Sequence, residues 1–231
     1  MVIYRKIIVN AMAMKLPAKC VSRISEEDFI TFLKDKSEHE ISFSEKTCSY
    51  CVGIVDVVNS TSITARLSNS KMCEYYCIFL NSMSKIAKAH NAVIIKNLGD
   101  SLLYYFPETE DAQDIQSFVD VLECGLAMTE LRGVMNQIML ERDLPFLDFR
   151  ISVDYGPVSI ATTPISPTRD IFGPTVNLCS KINGSASPNS IIVGGDLHQI
   201  VRSFKHYEFG VVGECRLGMK LNYPAYTVSR K

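Results

Sequence analysis

The chain has 231 residues, of which 47% are apolar, 21% charged and 9% aromatic, and its formal net charge is −1. That composition supports a sizeable buried core and excludes global disorder, while the near-neutral balance gives no footprint for nucleic acid or an anionic membrane. No apolar run approaches the ~20 residues of a membrane helix, so no membrane partner is expected.

Residues 1–47 read as an N-terminal extension and residues 48–231 as one domain. The start, MVIYRKIIVNAMAMKLPAKC, places a basic pair inside its apolar stretch, with Asn10 and Lys15 close behind. It reads as a strand or helix that packs on the body or joins a dimer contact, not as a cleaved leader. A charged stretch with a thin apolar stripe follows, in which Ser25 caps a short helix. The eight cysteines fall mostly in apolar periodic segments, the pattern of reduced, buried cytosolic thiols, so the chain is expected to be cytoplasmic. Cys48 and Cys51 form a CxxC and Cys73 and Cys77 lie one helical turn apart. A four-thiolate zinc site is conceivable from that spacing, but packing accounts for these residues better.

From Cys51 the pattern sharpens. CVGIVDVV is a short β-branched apolar run and reads as a buried strand. The segment from Ser60 to Asn91 has helical spacing, with a Ser/Thr cluster at its start. AVIIKNLGDSLLYYF reads as a hairpin turning at Asn97-Leu98-Gly99-Asp100. Residues 111–140 read as one long amphipathic helix. FLDFRISVDYGPVSIATT is a further strand region, and PTVNLCSKING is a helix with Pro174 in its first turn and Gly184 at its end. SIIVGG, KHYEFGVVGE and PAYTVSR supply more strands. The order strand, helix, hairpin, helix, strand predicts an α+β fold: a ferredoxin-like, palm-type βαββαβ sheet covered by helices, with additional C-terminal strands.

Two carboxylates stand out. Asp56 interrupts a buried strand, where an unpartnered charge is costly. Asp100 sits at the hairpin turn, a place that ordinary turn chemistry also explains. The fold brings a central strand beside the hairpin, so both carboxylates can converge, and paired aspartates are the usual holders of Mg²⁺ for phosphoryl transfer. Between strand and helix, Asn59, Ser60 and Thr61 open a helix whose free N–H groups suit a triphosphate; plain N-capping explains them equally well.

Taken together, VGIVDVVNST, IIKNLGDSLLYYF, ISVDYGPVSI and RDIFGPTVNLCSKI resemble, in order, segments of the class III adenylyl and guanylyl cyclase catalytic domains, over roughly residues 48–230. The resemblance implies that Asp56, Asp100 and the backbone carbonyl of Val57 hold two divalent cations, Mg²⁺ or Mn²⁺. It implies that Lys96 and Asp170 read the purine, a pair that goes with adenine: a cationic donor faces the ring acceptor and a carboxylate faces the exocyclic amine. Alone, Lys96 reads as a strand-edge lysine and Asp170 as a loop cap. Asn177 matches the ribose-orienting residue. Four positions on, where the family has an Arg that contacts the phosphate in the transition state, stands Lys181, on the same helix face but without the planar fork. Arg216 and Lys220 are candidates for a terminal-phosphate contact and read equally as surface cations.

The function this implies is conversion of ATP to 3′,5′-cyclic AMP and pyrophosphate at the interface of a homodimer, a phosphorus–oxygen lyase reaction. Asp56 and Asp100 would come from one protomer and the remaining groups from the other. The alternative raised by Lys181 is a cyclase-homology module that binds nucleotide and signals through dimer rearrangement. A diguanylate cyclase, which shares a similar sheet, lacks support because its Gly-Gly-acidic turn signature is absent from the hairpin.

Overall fold

The computed structural model describes residues 24–35, 41–163, 166–216 and 222–231. The apolar start of the chain and Lys220 lie outside the described residues. The chain divides into two units, Met1–Ser42 and Phe43–Lys231. In the first, helix α1 (Glu26–Lys34) is capped by Ser25, whose hydroxyl oxygen accepts from the Asp28 N–H.

The second unit is built on an eight-stranded sheet. Its strands are β1 (Ser42–Val57), β2 (Val93–Asn97), β3 (Ser101–Phe106), β4 (Phe149–Thr163), β5 (Ser166–Phe172), β6 (Ile191–Gly194), β7 (Tyr207–Arg216) and β8 (Asn222–Arg230). They run in the order β2-β3-β1-β4-β6-β8-β7, with β5 paired to β4 off this path. The first four positions are the ferredoxin-like arrangement expected from the sequence, extended by the C-terminal strands. The β4–β6 pair is parallel, with Ile151 opposite Ile191. The reverse turn between β2 and β3 is the predicted one: the Leu98 N–H donates to the Ser101 carbonyl at 2.9 Å. Gly99 sits at φ +69 with open space around it, a left-handed conformation that glycine takes at no steric cost.

Alternation along β1 splits the core in two. Cys51, Val55 and Val57 face a large cluster with α3 (Asn69–Ala89), α4 (Ile115–Glu130) and α5 (Arg132–Glu141). Tyr50, Val52 and Ile54 face the other side, with Val158, Ile171 and Cys179. Cys179 belongs to α6 (Pro174–Asn183), so this second face is also partly covered. A strand buried on both faces reads as an unbroken apolar run.

Several elements differ from the sequence reading. The helix expected from Ser60 onward is two pieces, α2 (Ser60–Thr64) and α3, because the Ser68 hydroxyl caps a new start by accepting from the Lys71 N–H. The long helix over 111–140 likewise divides at Leu131, into α4 and α5. Strand β1 begins nine residues before Cys51, and β5 and α7 (Gly195–Val201) are elements the pattern did not announce. The cysteines also divide. Cys51 is buried, whereas Cys73 and Cys77 are exposed on α3 instead of packed. Cys48 and Cys51, an odd number of residues apart on β1, point to opposite faces and cannot share a metal.

One polar group is locked inside this frame. Asp154 of β4 is fully buried. Its carboxylate accepts from the Tyr223 hydroxyl at 2.8 Å, the Tyr155 N–H at 2.9 Å and the Leu197 N–H at 3.3 Å. The neighbouring position is Gly194 because a Cβ there would collide with this carboxylate. Burial pushes the Asp154 carboxyl up to about 6 from an ordinary 3.8, against the pull of those three donors. The folded state therefore holds the proton more tightly than the unfolded chain. The stabilisation is full below 3.8 and is lost as pH rises to about 6. Denaturant titrations stepped through that window should show a decline of roughly 3 kcal/mol from this group. Asp154→Asn should remove that slope; an unchanged slope would assign it to other groups.

Candidate active site

The two predicted metal carboxylates meet at one end of the sheet. Asp56, partly buried near the end of β1, lies opposite Ser101, and the turn folds Asp100 back so that its carbonyl accepts from the Val57 N–H at 3.2 Å. The Asp100 carboxylate accepts from the Ser60 hydroxyl, which is buried. Ser60 thus reaches Asp100 from the first turn of α2, beside exposed Asn59, which sits in a left-handed conformation, and exposed Thr61. Burial, and then the charge of Asp100, push the Asp56 carboxyl above its ordinary value, and Arg150 opposes the shift.

Arg150 is a residue the sequence reading missed. It lies on β4 with one Nη 3.6 Å from an Asp56 carboxylate oxygen and the other 3.5 Å from the Gly184 carbonyl. Its Nε is buried without a hydrogen-bond partner. A charged residue amid FLDFRISV, where its neighbours are apolar, was the available signal, since a desolvated cation needs a partner. Asp56, Leu98, Arg150, Ser180, Asn183 and Gly184 line a cavity of 210 Å³. That is below the ~300 Å³ at which small-molecule pockets begin.

The expected base-reading pair forms a second cluster. A register shift between Ile94 and Lys96 breaks the alternation of β2 and re-aims the lysine. The Lys96 ammonium makes an ion pair with Asp170 of β5, although the two lie 74 residues apart in sequence.

Helix α6 places Asn177 and Lys181 on its exposed face while Cys179, Ile182 and Asn183 are buried beneath it. Asn183 donates to the carbonyl of Ile54 at 3.3 Å, close to Asp56. Asn177 lies about 9 Å back along the axis from Asn183, and both it and Lys181 are exposed on the helix. Arg216 closes β7, and its side chain is outside the described ones.

A family model described as the adenylate and guanylate cyclase catalytic domain matches residues 44–230. The chain belongs to that cyclase family. Among curated relatives, an adenylate cyclase of Streptomyces coelicolor is 25% identical over 142 residues, 62% of this chain and 31% of that protein. Soluble guanylate cyclase gcy-31 of Caenorhabditis elegans is 22% identical over 162 residues, 70% of this chain and 22% of that protein. The cyclase chain therefore spans less than a third of the length of these relatives. Among solved structures, the adenylyl cyclase CyaB from P. aeruginosa superposes with a TM-score of 0.72 at 20% identity, covering 80% of this chain and 96% of that one. Relatives named for either purine thus appear, and the fold alone does not separate them.

The donor set of the cyclase domain suits a hard divalent cation. Asp56 and Asp100 are close enough for the charge of Asp100 to weigh on Asp56, Arg150 stands 3.6 Å from Asp56, and the available donors are oxygens. Among the described residues no cluster of three or more His, Cys, Asp or Glu forms, so backbone, water or substrate oxygens would complete the shell. No helix among the described residues is long and apolar enough to cross a membrane.

Proposed function

We propose that this cyclase domain converts ATP to cyclic AMP and pyrophosphate, with each active site shared between two copies of the chain. The observation that carries the choice of ATP is the Lys96–Asp170 pair. Ammonium donates to a ring nitrogen and carboxylate accepts from an amine, which fits the edge of adenine; guanine offers a carbonyl and a ring N–H at those places. Asp56, Asp100 and the Val57 carbonyl would hold two divalent cations, Mg²⁺ or Mn²⁺. When bound, these supply Lewis-acid stabilisation of the attacking oxygen and of the leaving phosphates.

The chain's own residues then position and neutralise. The ribose 3′ oxygen forms a bond to the α-phosphorus as the bond to the pyrophosphate oxygen breaks, and the 3′ proton leaves to solvent. Arg150, with its unpartnered Nε beside Asp56, is placed to donate to phosphate oxygens and offset the charge that accumulates on pyrophosphate. The N–H groups opening α2 at Asn59, Ser60 and Thr61 would favour the triphosphate. Asn177 would orient the ribose, and Lys181 would stabilise the pentacoordinate phosphorus as a point charge. Arg216 and Lys220 are assigned to the terminal phosphates. The exposure of Asn177 and Lys181 on α6 supports their contribution to a site shared with a second protomer. A nucleotide-binding module without turnover is the other reading, favoured by lysine at position 181 where the family has arginine.

The test is cyclic AMP from ATP and cyclic GMP from GTP, measured with Mn²⁺ and with Mg²⁺ across a dilution series. Product from ATP is expected, with specific activity falling on dilution as the dimer dissociates. Lys181→Arg should raise turnover about tenfold by restoring the bidentate fork. Cyclic GMP as the main product would overturn the reading of Lys96 and Asp170. Tight ATP binding without product, rescued in Lys181→Arg, would establish the binding module.

A further inference from the structure

We propose that Phe43 is a positioning residue for base recognition: its ring braces Phe172, and Phe172 braces the ammonium of Lys96. The inference rests on the reading of Lys96 and Asp170 as the pair that recognises the base.

Lysine is a poor reader of a base edge on its own, because its stem has many rotamers and its ammonium is a point charge. In this domain the ammonium has two partners. One is the Asp170 carboxylate. The other is the ring of Phe172, with Lys96 Nζ 5.8 Å from its centroid, within cation–π range. Asp170 and Phe172 are two residues apart on β5, so they share one side of the strand, while Ile171 between them turns into the core. The lysine is thus held by two groups of a single short strand.

Phe172 itself is 40% exposed, an unusual state for a ring whose position matters. Phe43, at the start of β1 and 55% exposed, meets it edge-on, with ring centroids 5.3 Å apart and planes at 71°. Such T-shaped contacts fix orientation as well as burying area. Phe43 lies one residue ahead of the stretch matched by the cyclase family, so that match assigns it nothing. Its contact is with the base-reading cluster, whereas Asp56 and Arg150 line a separate cavity. Loss of the ring should therefore act on nucleotide binding and purine choice and leave the chemical step alone.

The experiment compares the full chain with Phe43→Ala, Phe43→Tyr, Phe172→Ala and the double alanine variant. Dissociation constants for ATP and GTP are taken by equilibrium dialysis, alongside kcat, KM and Tm. Phe43→Ala should weaken ATP binding about threefold to tenfold, with KM following. GTP binding, kcat and Tm should stay within about twofold or a few degrees of the parent, so discrimination between the purines falls. Phe43→Tyr should restore ATP binding, and the double variant should be no worse than Phe172→Ala, the signature of residues acting in series. Equal losses for ATP and GTP, a loss in kcat, or additive single effects would overturn the proposal. Failure of the underlying reading is visible separately: the parent chain would then show no preference for ATP before any substitution is made.

Discussion

Asp56→Asn is expected to lower cyclic nucleotide formation by about a thousandfold or more while leaving the fold at least as stable as before. The activity loss follows from the proposed site: two carboxylates would supply the anionic donors, and an amide cannot replace one against a divalent cation. The stability gain follows from the same arrangement. Burial and the charge of Asp100 both disfavour the ionised form of Asp56, and Arg150 at 3.6 Å only partly offsets them. Removing that charge relieves the folded state, the usual sign of a group kept for function at the expense of stability. A cyclic AMP assay beside a thermal melt reads both effects. Retained turnover, or a lowered melting temperature with turnover lost, would each rule out Asp56 as a metal-holding carboxylate kept at a cost to the fold.

Arg150→Ala should cost about a hundredfold in kcat/KM for ATP, in the range of a lost donor to developing charge. The guanidinium is held in place by a carboxylate on one side and the Gly184 carbonyl on the other, and its Nε is buried and unmatched. An unmatched buried donor is costly, and a phosphate oxygen arriving in the adjoining cavity removes that cost. Arg150→Lys keeps charge without the fork and should fall between the parent and the alanine variant. Pyrophosphate inhibition should weaken in parallel. Inhibition unchanged in Arg150→Ala would show that the guanidinium serves Asp56 alone.

Much of this architecture was legible in the residues. The hairpin at Asn97–Asp100 announces itself because glycine takes the left-handed turn position and apolar runs flank it. Helix α6 is legible because Pro174 opens it and Gly184 closes it. The coming together of Lys96 and Asp170 came from resemblance, since nothing local joins residues 74 positions apart. What escaped did so for physical reasons. Strand β5, SPTRDIF, has no clean alternation because Asp170 and Phe172, one charged and one aromatic, share a side around the buried Ile171. Helix α7 is too short to show a period. The break at Leu131 falls in a continuous amphipathic pattern, where hydrophobic spacing carries no mark of a kink. Cys73 and Cys77 read as buried because cysteine usually is. They lie instead on the outer row of α3 with Asn69 and Asn81, and the Asn81 amide donates to the Cys77 sulfur at 3.3 Å.

The ion pair between Lys96 and Asp170 has a consequence for how such a domain can change its substrate. On the proposed reading each residue is the other's partner as well as a reader of the base, so altering one would leave the remaining charge both mispaired and facing the wrong edge. A single substitution degrades recognition of the old base without creating recognition of the new one. On that reading the two positions would form one heritable unit, and a lineage would move between purines by paired replacement or by passing through a neutral, undiscriminating ancestor.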